Sequence, residues 1–175
     1  MIHICKNCGG QHPACSPKKK AGPISKWNYY MSLAILSARR SKDPSTQVGA
    51  AIVSVPQGRI IGLGYNGFPN GCKKSFPMDR EGNFLDTKYP YMVHAEVNAI
   101  MNSTASVEGA MLFCTLFPCN ECMKIIIQSG IKTVIYLSDK YHDENMTIAA
   151  RRLGKAAEID TKSFFLNNEK LEIKI

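Results

Sequence analysis

The chain has 175 residues, of which 45 % are hydrophobic and 21 % charged, and it carries a formal net charge of +8. That length suits one domain, and the composition is too apolar for intrinsic disorder. No uninterrupted apolar stretch approaches the roughly 18–20 residues that a bilayer crossing needs, and the start of the chain lacks the apolar core of a secretory signal. A cytoplasmic protein with no membrane partner is expected. Residues 1–26 hold five lysines and no Asp or Glu, so the rest of the chain shares an excess of only three positive charges. The basic character belongs to the first segment and does not by itself require a nucleic-acid partner.

The first 25 residues are rich in Cys, Gly, Pro and Lys without apolar periodicity, which sets them apart as an appendage to a domain over 26–175. Cys5, Cys8, His12 and Cys15 offer four soft ligands there, enough to close around a structural zinc, with Cys72 able to replace one of them. The alternative is an unstructured tail whose thiols do nothing. From Trp27 the pattern changes. Trp27, Tyr30, Met31, Ala34, Ile35 and Ala38 recur at helical spacing behind Ser25 as a cap, predicting a helix over 26–40 that ends at Lys42-Asp43-Pro44. Two β-rich runs, 48–55 and 59–65, flank Pro56-Gln57-Gly58 and read as a hairpin. A long loop over 66–92 follows, of a length that is usually functional or disordered. The remaining pattern predicts a helix at 94–103, a strand at 110–116 and a helix from Pro118, in its first turn, to Gly130. A strand at 131–137, a helix at 143–156 and strands within 158–174 complete the chain. This alternation predicts parallel strands joined by right-handed crossovers and covered by helices.

Seven cysteines, an odd number in a chain without a secretory signal, point to metal rather than to a disulfide framework. Cys72 and Cys114 stand alone as small apolar fillers. The chemistry concentrates in His94-Ala95-Glu96 and Pro118-Cys119-Asn120-Glu121-Cys122, separated by 21 residues. Cys119 and Cys122 lie three apart at a helix start, so both sulfurs project from one face, where the helix N-terminus favours thiolates. His94 opens the other helix and reaches the same point. One imidazole and two thiolates leave zinc a fourth position for water, as a catalytic site requires. Zinc with two thiolates is formally neutral and acidifies water less than a tris-histidine site, so a nearby base becomes useful. Glu96, two residues from His94 and pointing differently, suits a proton shuttle rather than a ligand. A structural zinc-ribbon knot with Glu96 incidental is the alternative. His-x-Glu followed by Pro-Cys-x-x-Cys is the signature of zinc nucleobase deaminases.

The stretch from Trp27 to about Lys155 resembles the deoxycytidylate (dCMP) deaminases. The matching pieces are Ser41-Lys42-Asp43-Pro44, Gln47-Val48-Gly49-Ala50, the run from Gly64 through Tyr65, Asn66, Gly67, Phe68, Pro69, Asn70 and Gly71 to Cys72, His94-Ala95-Glu96-Val97-Asn98-Ala99-Ile100, Phe117-Pro118-Cys119-Asn120-Glu121-Cys122, and Ser138-Asp139-Lys140-Tyr141-His142-Asp143. The resemblance implies a three-layer α/β/α fold with a mixed five-stranded sheet. It implies conversion of dCMP to dUMP with release of ammonia, supplying dUMP for thymidylate synthesis. Glu96 would take a proton from water, deliver it to ring N3 and help the amine leave. Val48 would wall the base, Asn66 would meet the sugar, and Lys140 and Tyr141 are candidate phosphate donors by motif, against ordinary loop solvation. Members are typically hexamers, activated by dCTP and restrained by dTTP, with Mg2+ as a possible companion. The segment holding Tyr65, Gly67, Asn70 and Gly71 is the candidate effector site, where glycines would let backbone N–H groups approach a phosphate chain; a plain loop after a hairpin strand is the competing reading.

Nucleoside cytidine deaminases usually place Cys where His94 stands. Deaminases of tRNA or single-stranded DNA share His-x-Glu but need a basic groove with exposed aromatics, and residues 27–175 have little excess charge. Deaminases of guanine or riboflavin precursors share the zinc motif. A non-enzymatic nucleic-acid-binding zinc module built on Cys5 to Cys15 and the lysines 18 to 20 is the alternative from another class, and it gives Glu96 no task.

Overall fold

Apolar residues in the central strands point alternately to two sides, and the helices follow from that. The computed structural model describes residues 22–72 and 76–165. In chain order the elements are α1 (Lys26–Ala38), β1 (Gly49–Val53), β2 (Ile60–Tyr65), a 3-10 turn (Phe84–Asp86), α2 (Ala95–Met101), β3 (Met111–Leu116), α3 (Asn120–Gln128), β4 (Thr133–Ser138), α4 (Asn145–Ala156) and β5 (Asp160–Ser163). They form a five-stranded sheet of order β2-β1-β3-β4-β5. β1 runs antiparallel to β2 and β3, whereas β3, β4 and β5 are parallel. The sheet is mixed and the fold has three layers.

On one face Ala51, Val53, Phe113 and Ile135 pack under α1 against Tyr30, Met31 and Ala34. On the other, Ala50, Ile52, Leu112, Cys114 and Val134 meet Ala95 and Ala99 of α2, Met123 and Ile126 of α3, and Ala150 of α4. Cys114 is therefore the apolar filler its isolation suggested. Every residue of β1 is buried because helices cover both sides. Each large side chain so buried contributes about 1.5–3 kcal/mol. The helices also lie unusually close to the first two strands. A Cβ on Gly49 would stand 1.9 Å from the Ala34 carbonyl oxygen, and one on Gly64 would stand 2.3 Å from both Ala95 O and Ala99 N.

Several ends differ from the sequence expectation. Ser25 caps α1 by accepting from the Asn28 N–H at 3.1 Å, but the helix stops at Ala38 rather than residue 40. α3 begins at Asn120, with Cys119 as its extended cap residue, so Pro118 precedes the helix instead of sitting in its first turn. In the region expected to hold strands over 158–174, the described residues form one exposed strand, β5. The 66–92 loop is pinned in place: Gly67 and Val93 exchange two backbone hydrogen bonds, and Phe76 stacks on Tyr91 with ring centroids 3.9 Å apart. Cys5, Cys8, His12 and Cys15, and with them the second zinc, lie outside the described residues. Among the described residues, no helix is long and apolar enough to cross a membrane.

Candidate active site

Two helix caps converge beside the carboxyl end of β3. His94 is the cap residue of α2 and Cys119 that of α3, and neither side chain caps its own helix. Both turn outward instead, and Cys122, one turn into α3, joins them. His94 Nδ1 lies 3.2 Å from Cys122 Sγ and 3.4 Å from Cys119 Sγ. The three donor atoms all fall within 4.8 Å of one another. A tetrahedron with bonds of about 2.05 Å to nitrogen and 2.3 Å to sulfur has edges of about 3.5–3.8 Å. The observed nitrogen–sulfur separations are within a few tenths of that, so one imidazole and two sulfurs fit a zinc ion.

Glu96 is the second residue of α2, only 4 % exposed, and its carboxyl contacts Cys122. Burial pushes this carboxyl above the ordinary carboxylate range, with the His94 charge opposing. Among the ligands themselves charge is unevenly shared. The hydrogen bond from Cys122, helped by His94, lowers the Cys119 thiol to about 4. Hydrogen bonding to Cys119 raises His94 to about 9, and the bond Cys122 gives to Cys119, together with burial, pushes the Cys122 thiol up. A divalent cation would have to displace the protons of His94 and Cys122, and the site then offers one imidazole and two thiolates with a buried carboxyl at its side.

A cavity of about 760 Å³ opens over these groups and is lined by His94, Glu96, Cys119 and Cys122 together with Val48, Asn66 and Tyr141. Seven of the residues singled out in the sequence therefore face one space. Lys140 does not line it: its ammonium sits over the Tyr141 ring, 4.7 Å from the centroid, and its hydrogen bond lowers the Tyr141 phenol. Tyr65, Gly67, Asn70 and Gly71 do not line it either. The Gly67 N–H, expected to be available for a phosphate, is already given to Val93 O at 3.0 Å, and the Tyr65 carbonyl accepts from Asn98 Nδ2 at 2.8 Å. Asn66 is buried and heavily used. Its Oδ1 accepts from Val48 N at 2.9 Å, and its Nδ2 donates to Thr46 O at 2.9 Å and to Asp43 Oδ2 at 3.3 Å.

The sequence reading missed a second group on the cavity wall. Lys88, from near the end of the long loop, places its Nζ 2.6 Å from both oxygens of Asp43, and both residues are almost fully buried. Asp43 Oδ1 also accepts the Ser45 and Thr46 N–H groups at 2.8 and 3.1 Å. That turn was legible, since Asp followed by Ser and Thr commonly bonds its own backbone two and three residues on. Lys88 carried no such signal: its partner lies 45 residues away. Arg80, Phe84 and Tyr89 of the same loop also reach the cavity.

A zinc-ligand triad on two helix caps, a buried glutamate beside it and a mixed α/β/α sheet define a hydrolytic deaminase site. The pattern of the cytidine and deoxycytidylate deaminase zinc-binding region matches residues 24–138, and the chain belongs to that family, whose cofactor is zinc. It is 53 % identical over 159 residues to the deoxycytidylate deaminase of Mus musculus, covering 89 % of each chain, and 50 % identical over the same length and coverage to that of Homo sapiens. The crystal structure of dCMP deaminase from the cyanophage S-TIM5, in complex with dCMP and dUMP, superposes with a TM-score of 0.63 at 29 % identity, covering 79 % of this chain and 96 % of that one.

Proposed function

We propose that the protein hydrolyses dCMP to dUMP and ammonia, supplying dUMP for thymidylate synthesis. The observation that carries this reading is the buried Glu96 beside His94, Cys119 and Cys122 on the floor of a cavity large enough for a nucleotide. When bound by His94, Cys119 and Cys122, zinc supplies the Lewis acidity that makes water a usable nucleophile near neutral pH. Glu96 would take a proton from the attacking water and hand it to ring N3 as the water oxygen bonds to C4. It then carries the second proton to the amino group, the C4–N bond breaks and ammonia leaves. A carboxyl whose proton affinity is raised by burial is suited to being protonated midway through such a cycle. Val48, half-buried on the cavity wall, packs against the base. Among the described residues Asn66 Oδ1 accepts from Val48 N alone, and its second lone pair accepts from a sugar hydroxyl. Tyr141 offers its phenol to the polar end of the nucleotide.

Ammonia release from dCMP, deoxycytidine, dCTP and a cytosine-containing oligonucleotide, each given separately, tests the reading. Rapid turnover confined to dCMP supports it, and turnover of the oligonucleotide alone refutes it. The resemblance further supports a cytoplasmic hexamer activated by dCTP and restrained by dTTP. Sedimentation of the purified protein and rates measured with each effector, with and without Mg2+, test that extension.

A further inference from the structure

We infer that Arg80 anchors the 5′-phosphate of the substrate and is the residue that selects a nucleotide over its nucleoside; the inference rests on the dCMP reading of the site. Among the described residues that line the cavity, the cationic candidates are Arg80, Lys88 and His94. His94 belongs to the zinc ligands. Lys88 is neutralised, its ammonium 2.6 Å from both oxygens of Asp43. Arg80 instead meets a neutral partner, donating from Nε to the Tyr89 hydroxyl at 3.2 Å. No carboxylate among the described residues pairs with it. A guanidinium has five donors in a planar fork, so four are left to face a dianion, in a geometry that suits bidentate phosphate recognition.

The loop holds this arginine in place. The Lys88 N–H donates to the Asp79 carbonyl at 3.0 Å, immediately before Arg80, and the Arg80 side chain bonds Tyr89, immediately after Lys88. Two adjacent cross-links thus tie the arginine to Lys88, and the Lys88 ammonium is buried on the domain wall. Lys140, expected as a phosphate donor, has its charge over the Tyr141 ring and outside the cavity lining. The phosphate contact is thereby assigned to the 76–92 segment, with the Lys88–Asp43 pair as its foundation.

The test is Arg80→Gln in the zinc-loaded enzyme, with kcat/KM measured for dCMP and deoxycytidine and Ki for the product dUMP. Loss of one or two charge-assisted hydrogen bonds predicts a fall of about 10- to 100-fold for dCMP and a matching rise in the Ki of dUMP. Deoxycytidine turnover and the melting temperature stay as in the wild type. Arg80→Lys retains part of the preference, because a point charge replaces the fork. An unchanged response to dCMP and dUMP, or an equal loss on both substrates, would overturn the assignment while leaving the deaminase reading in place. A wild-type enzyme inactive on dCMP would overturn both.

Discussion

Replacing Lys88 by Met removes one partner of a buried ion pair and keeps nearly the same bulk. Both groups are almost inaccessible, with side-chain exposures of 6 % for Lys88 and 3 % for Asp43. Breaking such a pair costs about 3–5 kcal/mol, because a charge is left buried without its counterion. Asp43 keeps the N–H groups of Ser45 and Thr46 and the Asn66 amide, which places the cost near the low end, at about 3 kcal/mol. At about 2–4 °C per kcal/mol for a chain of this size, Tm falls by about 6–12 °C. The pH dependence gives a second reading. Burial alone would raise the Asp43 carboxyl, but Lys88 and the two N–H groups outweigh it and hold it below 3.8. A carboxyl depressed in the folded state stabilises above its unfolded value and loses that stabilisation as pH falls through the folded one. Lys88→Met removes the main depressing charge, so its Asp43 protonates at higher pH than in the wild type. The gap in Tm between the two proteins therefore narrows as pH is lowered from 7 towards 4. Thermal melts of the zinc-loaded proteins, followed by circular dichroism, measure both effects. A variant that melts within about 2 °C of wild type at pH 7, or a gap that widens in acid, would show that the Lys88–Asp43 pair does not hold the fold in this way.

Other perturbations follow from the same geometry. Gly64→Ala forces a Cβ into the α2 backbone at Ala95 and Ala99 and costs about 1–3 kcal/mol or more as overpacking; because α2 also carries His94 and Glu96, kcat falls with Tm. Gly67→Ala, whose Cβ meets nothing within 4 Å, serves as its neutral counterpart in the same melting and rate assays. Removing zinc with a chelator abolishes turnover. It also lowers Tm by about 8–16 °C, since a ligand at a thousandfold excess over Kd contributes ~4 kcal/mol and each kcal/mol is about 2–4 °C. Readdition of zinc restores both, and Cys122→Ser does not respond to it.

The zinc ligands and Glu96 were legible because their chemistry is written as residue type at short spacing: each of His94, Cys119 and Cys122 stands within the first turn of a helix, so local structure alone brings the side chains outward. The sheet was legible for a related reason. Strand periodicity in 48–65 and the alternation from 93 onward specify strand and helix, and the buried faces confirm it. What the sequence did not convey depends on distant pairing. Lys88 sits in a stretch with no apolar periodicity, and nothing local distinguishes it from a solvated loop lysine until Asp43 is placed opposite. Gly64 was similarly ambiguous. A glycine for phosphate approach and a glycine for helix contact look alike in sequence, and here α2 decides between them. Lys140 and Tyr141 show the converse case: the motif singles out both, and of the two Tyr141 lines the cavity.

Glu96 moves the protons of the reaction without holding the metal. The direct measurement is dCMP turnover by Glu96→Gln alongside its zinc content and melting temperature. Gln keeps the shape of the side chain but cannot take up and return a proton as a carboxylate does, so turnover falls by about 10²- to 10⁴-fold, while zinc content and Tm stay at wild-type values. A Glu96→Gln enzyme that holds its zinc and still turns over dCMP within about tenfold of wild type would contradict the account.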